Sequence, residues 1–226
     1  MRTIGVVTIG QSPRSDVVPE LERIIKDSQT SQTVTFLQKG ALDGLTADEI
    51  ADLRPKEEKN HLVTKLQDGT EVAVDKHAIY PRVQQAIFDL NSKGADIITL
   101  LCSGEFPPFR SETPLIQPAK LLSGVLSSIS IEGHLGVMVP SDEQVDVATE
   151  AYHRLGFQPI AVGASPYGGG DAIINAANRL KGEVALVVMD CFGYNKEMKD
   201  EVQKITRTPV ILVRSLLAWT LNECLQ

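Results

Sequence analysis

Short, almost wholly apolar runs alternate along this chain with longer stretches in which apolar residues recur at helical spacing. GVVTI, DIITLL, LGVMV and VALVVM are runs of the first kind, set off by Gly, Pro or Asp. A run apolar at nearly every position suits a strand buried on both faces, and helical stretches between such runs build βαβ units around a parallel sheet. The pattern predicts strands at Thr3–Ile9, Thr33–Gln38, Asp96–Leu101, Gly133–Val139, Gln158–Val162, Val184–Asp190 and Val210–Val213. It predicts helices near Ser15–Asp27, Ala47–Leu53, Pro81–Lys93, Pro118–Ser130, Asp142–Leu155, Gly170–Leu180, Lys196–Thr206 and Leu216–Leu225. One segment breaks the alternation. LVTKLQDGTEVAVD, Leu62 to Asp75, has two β-rich arms around Gln67-Asp68-Gly69, the pattern of a hairpin inserted into the first half.

The chain also repeats itself. NSKGADIITLLCSGE from Asn91 reappears as NRLKGEVALVVMDCFGY from Asn178, each a strand ending in cysteine. IGVVTIGQS from Ile4 is echoed by LGVMVPSDE from Leu135, and TPLIQPAKLLSGVLSSI from Thr113 by TPVILVRSLLAWTLNEC from Thr208. All three matches keep the same order in both halves. The expected fold is therefore α/β, with two pseudo-symmetric Rossmann-like lobes, mainly parallel sheets and a cleft between the lobes.

Composition narrows the function. A net charge of −7 argues against a nucleic-acid partner, which calls for a concentrated basic face. The apolar runs are too short and interrupted for a membrane helix, and MRTIGVVTIGQSPR lacks a signal peptide's apolar core and cleavage site. Cys102, Cys191 and Cys224 are odd in number, widely spaced and without a CxxC, which suits reduced thiols in a cytoplasmic protein. Cys224 reads as structural, on the apolar face of the last helix beside Leu221 and Leu225. His61, His77, His134 and His153 are scattered, with no metal-ligand spacing. There is no GxGxxG, P-loop or GxSxG, so no metal and no cofactor is expected. The KEEK run at Lys56–Lys59 reads as a solvated helix end or loop.

Ligands of open α/β sheets sit beyond the carboxyl ends of the strands. Cys102 and Cys191 both fall at that edge, one in each lobe. Facing lobes would bring the thiols to opposite sides of a ligand, where one removes a proton from carbon and the other returns it. A single strand-end cysteine is more often buried structure; two at matched positions of a repeat favour function. Gln11, Ser12 and Arg14 open the first helix, a place for an anion, although Ser15 or Asp16 there can also serve as a helix cap. Ser141 occupies the matching turn of the second lobe, where Asp142 reads as a cap. Asp190 reads as structural. Glu105 and Arg110 flank the first thiol, and three successive glycines at Gly168–Gly170 suit either close approach to a ligand or a plain flexible connection.

TIGQSPRSD at Thr8–Asp16, the strand-end Cys102 and MDCFGY at Met189–Tyr194 resemble the AroM family, within the aspartate/glutamate racemase-like superfamily. The resemblance implies cofactor-independent chemistry at the carbon next to a carboxylate, with Cys102 and Cys191 matching the two acid/base thiols. It departs where racemases carry a polar pair after the first cysteine and a threonine after the second: here Ser103-Gly104 follows the first and Phe192-Gly193-Tyr194 the second, and the aromatic there implies a larger or less polar substrate. The resemblance further implies discontinuous lobes, 1–101 plus 209–226 and 102–208, and a homodimer. Three readings follow. The first is a racemase or isomerase of a small carboxylic acid with two opposed cysteines. The second is a one-thiol decarboxylase or isomerase, and the third a carboxylate-binding sensor without turnover.

Overall fold

The computed structural model describes residues 2–27, 33–57 and 60–225, so the Lys56–Lys59 run lies partly outside the described residues. Two compact units divide the chain: the first runs to Leu121 and resumes at Ala218, and the second is Leu122–Leu217.

The first unit contains β1 (Arg2–Thr8), α1 (Val18–Asp27), β2 (Val34–Gly40), α2 (Ala47–Asp52), β3 (His61–Lys65), β4 (Glu71–Asp75), α3 (Lys76–Ser92), β5 (Ile97–Leu100) and β6 (Leu115–Ile116). The chain then leaves it within α4 (Pro118–Leu126). β2-β1-β5-β6 form a parallel sheet. All four residues of β5 are buried, as a strand covered on both faces requires. Ile79, Val83, Ala86, Ile87 and Leu90 of α3 recur at helical spacing and join the same core as Val7, Ile98 and Leu100. β3 and β4 pair antiparallel as the expected hairpin.

The second unit contains β7 (His134–Val139), a 3-10 turn at Asp142–Gln144, α5 (Val145–Arg154), β8 (Pro159–Gly163), α6 (Gly170–Leu180), β9 (Val184–Met189), α7 (Lys196–Thr206) and β10 (Val210–Leu212). α8 (Val213–Leu225) carries the chain back. Its sheet, β8-β7-β9-β10, is parallel throughout.

The repeat in the sequence is a repeat in register. Gly5 pairs with Ile98 and Gly136 with Val187; Thr8 pairs with Gly40 and Val139 with Gly163; Thr99 pairs with Ile116 and Val188 with Ile211. A methyl on Gly5 would meet Leu90, Ala95 and Ile98, and one on Gly136 would meet Leu180, Val184 and Val187. Each glycine thus lets an equivalent helix close down on an equivalent strand.

Some expectations need correction. α3 begins at Lys76, a turn before Pro81, because Asp75 caps it by accepting from the backbone N–H groups of His77 and Ala78. Proline favours a helix's first turn, but the cap decides the start. α8 begins at Val213, directly out of β10. Asp142 makes no cap: neither the 3-10 turn nor α5 has a side-chain bond at its start. Cys224 is exposed, one step around the helix from buried Leu221 and Leu225. The units part at Leu121/Leu122 and Leu217/Ala218, later than 101/102 and 208/209, because β6 and β10 each pair with the cysteine-bearing strand of their own unit. Among the described residues no helix is long and apolar enough to cross a membrane.

Candidate active site

Each cysteine follows a strand whose last bond is made in the same way. Leu101 N–H donates to Val7 O at 2.7 Å and Cys102 comes next; Asp190 N–H donates to Met138 O at 2.9 Å and Cys191 comes next. Both then enter a Cys-x-Gly turn. The Gly104 N–H points at Cys102 Sγ at 3.4 Å, and the Gly193 N–H at Cys191 Sγ at 3.3 Å. A backbone donor aimed at sulfur stabilises thiolate over thiol. Two matched turns of this kind are hard to ascribe to chance burial.

The surroundings of the two thiols differ. Cys102 is 9% exposed and packs in one apolar cluster with Leu62 of the hairpin, Ile98 and Leu100. Phe106 and Phe109 of the following loop adjoin that cluster. Tyr80 stacks on Phe109 at 4.8 Å and donates to Pro108 O at 2.9 Å, while Gln84 bonds Arg110 N and O. The loop after Cys102 is thereby fastened to α3. Cys191 is half-buried and packs against the apolar cluster that contains Val187 and Met189.

The turn at Gly10–Arg14 is committed to the fold. The Gly10 N–H goes to Thr8 Oγ1, Gln11 N–H to Lys65 O, Ser12 N–H to Asp43 Oδ1 and Arg14 N–H to Gln38 Oε1. Gln11 Oε1 accepts from Gln67 N–H at 3.0 Å, and the Ser12 hydroxyl donates to Asp43 Oδ2 at 2.7 Å. The backbone donors of this turn and the Ser12 hydroxyl thus bond the hairpin, Asp43, Gln38 and Thr8. Arg14 is 4% exposed, forks onto Asp16 with two bonds of 2.8 Å and reaches Thr8 Oγ1. Asp16 is its ion-pair partner.

That pair has a pH signature. Burial opposes ionisation of Asp16, but the hydrogen bond and charge of Arg14 outweigh it and hold the carboxyl below its ordinary 3.8. A depressed acid stabilises the fold above its unfolded value and loses that contribution as pH falls through the folded one. Asp16→Asn is therefore expected to cost roughly 2 kcal/mol at neutral pH, less than a fully buried broken pair. The gap to wild type should shrink as pH falls below 3.8, which urea unfolding at neutral and acid pH would show.

In the second unit the Ser141 hydroxyl is buried and has no hydrogen-bond partner among the described residues. Gly193 lies against Pro166 and the Tyr167 hydroxyl. Phe192 is 3% exposed and offers its carbonyl to Arg214, whose Nε donates at 3.1 Å and whose Nη2 donates as well. Tyr194 is fully buried, with its hydroxyl 2.8 Å from Val139 O and 2.7 Å from Ala164 O. It latches the ends of β7 and β8. Burial, then the neighbouring Cys191, Asp190 and Tyr167, push its phenol well above the ordinary value. Asp190 accepts from the Tyr152 hydroxyl at 2.8 Å, in keeping with a structural role. Gly169, with φ of 93°, sits at the N-terminal end of α6, so one glycine of the triplet is a backbone requirement.

The sequence reading gave no side-chain role at the site to Tyr167, Asp43, Gln67, Leu62 or Arg214. Arg214 left a signal, a lone cation inside the apolar run VILVRSLLAW.

Paired α/β units with matched strand-end cysteines define a racemase-like fold. The aspartate racemase of Picrophilus torridus is similar, with a TM-score of 0.66 at 15% identity over 99% of this chain and 94% of that one. The maleate isomerase Iso of Pseudomonas putida S16 gives 0.67 at 13% identity, over 99% and 92%. Arylmalonate decarboxylase gives 0.55 at 13% identity, over 97% and 92%. No curated protein matches the chain by sequence. Residues 4–225 match the family described as AroM protein, and the chain belongs to that family.

Proposed function

We propose that this protein is a cofactor-independent racemase or isomerase acting on the carbon next to the carboxylate of a small acid, with Cys102 and Cys191 as opposed acid and base. The observation that carries the reading is the matched pair of Cys-x-Gly turns, each with a backbone N–H aimed at sulfur. A hydrogen beside a carboxylate is a very weak acid. Its removal needs a desolvated base and donors placed where negative charge grows on the carboxylate. The Ser141 hydroxyl and the Tyr167 phenol supply those donors in this reading, since the backbone N–H groups of the Gly10–Arg14 turn are already bonded. One thiolate takes the proton, and the other thiol delivers one to the opposite face.

The test is exchange in D₂O, with pooled amino acids and 2-substituted carboxylic acids followed by NMR for loss of the α-proton. Wild type should exchange at least one of them, and Cys102→Ala and Cys191→Ala should each lose about a thousand-fold, the scale of general acid–base catalysis. Exchange that persists when both cysteines are replaced together rules out thiol chemistry. The apolar burial of Cys102 supports a second reading, in which Cys191 works alone. Turnover that survives Cys102→Ala but not Cys191→Ala would establish it. Carboxylate binding by the double variant, with no turnover by wild type, would make the protein a sensor.

A further inference from the structure

We propose that Arg214 is a positioning residue that makes Cys191 the resting thiolate, while Cys102 rests as the neutral thiol. The assignment rests on the two-thiol reading for its catalytic meaning, though not for its test.

Arg214 is 1% exposed and stands at the start of α8, just beyond β10. Arginine does not deprotonate in proteins, so a positive charge is held inside the second unit. Two of its nitrogens clamp the carbonyl of Phe192, the residue after Cys191. The clamp fixes the turn in which Gly193 N–H meets the sulfur. Fixed donor and buried cation both favour the charged form of the thiol.

The first unit lacks this device. Strand register equates Ile116 with Ile211, since these pair with Thr99 and Val188, each three residues before its cysteine. Counting on three places from each puts Ala119 where the second unit has Arg214. Cys102 keeps the glycine donor but packs with Leu62 and Leu100, and apolar surroundings favour the neutral thiol.

Other ionisable groups adjoin each turn. Asp190 opposes a thiolate at Cys191. However, Cys191 packs on the core face of Val187 and Met189, whereas Asp190 bonds Tyr152 of α5. Tyr152 and Tyr194 stay protonated because burial raises both. Tyr167 is the remaining phenol at this turn. Against Cys102 stand Glu105 of its own loop and the ionisable groups of the hairpin and α3. Of these, Lys65 acts on Asp16, Asp75 caps α3, and Arg82 bonds the Ala41 and Asp43 carbonyls. His61 opens β3 and Glu71 opens β4.

A thiolate accepts a proton and has none to give, so Cys191 takes the first step. Its sulfur removes the α-proton, and the C–H electron pair spreads into the carboxylate. Cys102 S–H then protonates the carbon, leaving Cys191 neutral and Cys102 as thiolate until proton exchange with water resets them.

The test uses no substrate. The intact protein is alkylated with iodoacetamide across a range of pH, and each cysteine's rate is resolved by mass spectrometry. Cys191 should show a midpoint at least a unit below the ordinary thiol value of about 8.5, with Cys102 above it. Arg214→Met should raise the Cys191 midpoint by about one unit or more and leave Cys102 unmoved. Arg214→Lys, which keeps charge without the fork, should recover part of the shift. A wild-type Cys191 midpoint at or above 8.5 overturns the proposal, whether or not the methionine variant folds. So does an unmoved Cys191 midpoint in a folded Arg214→Met protein. Unequal midpoints with no α-proton exchange would leave the thiolate standing and remove the isomerase reading.

Discussion

Gly10→Ala is expected to lift the β3–β4 hairpin and expose Cys102. A methyl at this position would stand 2.4 Å from Lys65 O and 2.5 Å from Thr64 Oγ1. The carbonyl belongs to the backbone at the end of β3, so no rotamer change relieves the overlap. The hairpin must move, and with it the bond from Gln11 N–H to Lys65 O and the packing of Leu62 against Gly104. Overpacking of this kind costs about 2 kcal/mol, enough to raise the open population about thirty-fold. Alkylation of Cys102 should accelerate accordingly, while Cys191 in the other unit keeps its rate. An unchanged Cys102 rate in a folded variant would mean that something other than the hairpin covers this thiol.

Gly193→Ala is the counterpart at the second thiol. Its methyl would fall 2.3 Å from Pro166 Cγ and 2.9 Å from the Tyr167 hydroxyl. A proline ring yields little, so either the loop before α6 is displaced or the Gly193 N–H is pulled from the sulfur. A cost of about 3 kcal/mol corresponds to a fall in Tm of about 9 °C for a chain of this size. Gly104→Ala serves as the control. There the nearest atom, at 2.7 Å, is a terminal methyl of Leu62, which can rotate away. If both variants melted alike, the rigidity of Pro166 would not be the cause.

The strands and the pairing of the two units were legible because the repeat is local: each echo carries a strand. The matching of β1 with β7 and β5 with β9 needed no knowledge of distant contacts. β6 escaped because two residues of strand leave no periodic trace. The contacts of the Gly10–Arg14 turn stayed hidden for a different reason. Its partners Asp43 and Gln67 lie 31 and 56 residues from the residues they bond, beyond the reach of any local pattern. The total burial of Tyr194 could not be read from FGY alone. Tyr167 was hidden by its glycine neighbours, which drew notice to backbone freedom and away from the phenol.

The exposed Cys224 bears on how this protein is handled at the bench. It lies on the outer face of α8, open to other molecules in solution. Without a reducing agent, two chains can join through it as air oxidation converts a pair of such thiols to a disulfide. Sedimentation or sizing of aged protein would then report storage history in place of native assembly. A Cys224→Ser background keeps covalent pairs out of that measurement, and it removes a fast-reacting thiol that would otherwise mask Cys191 in any titration of total sulfhydryl.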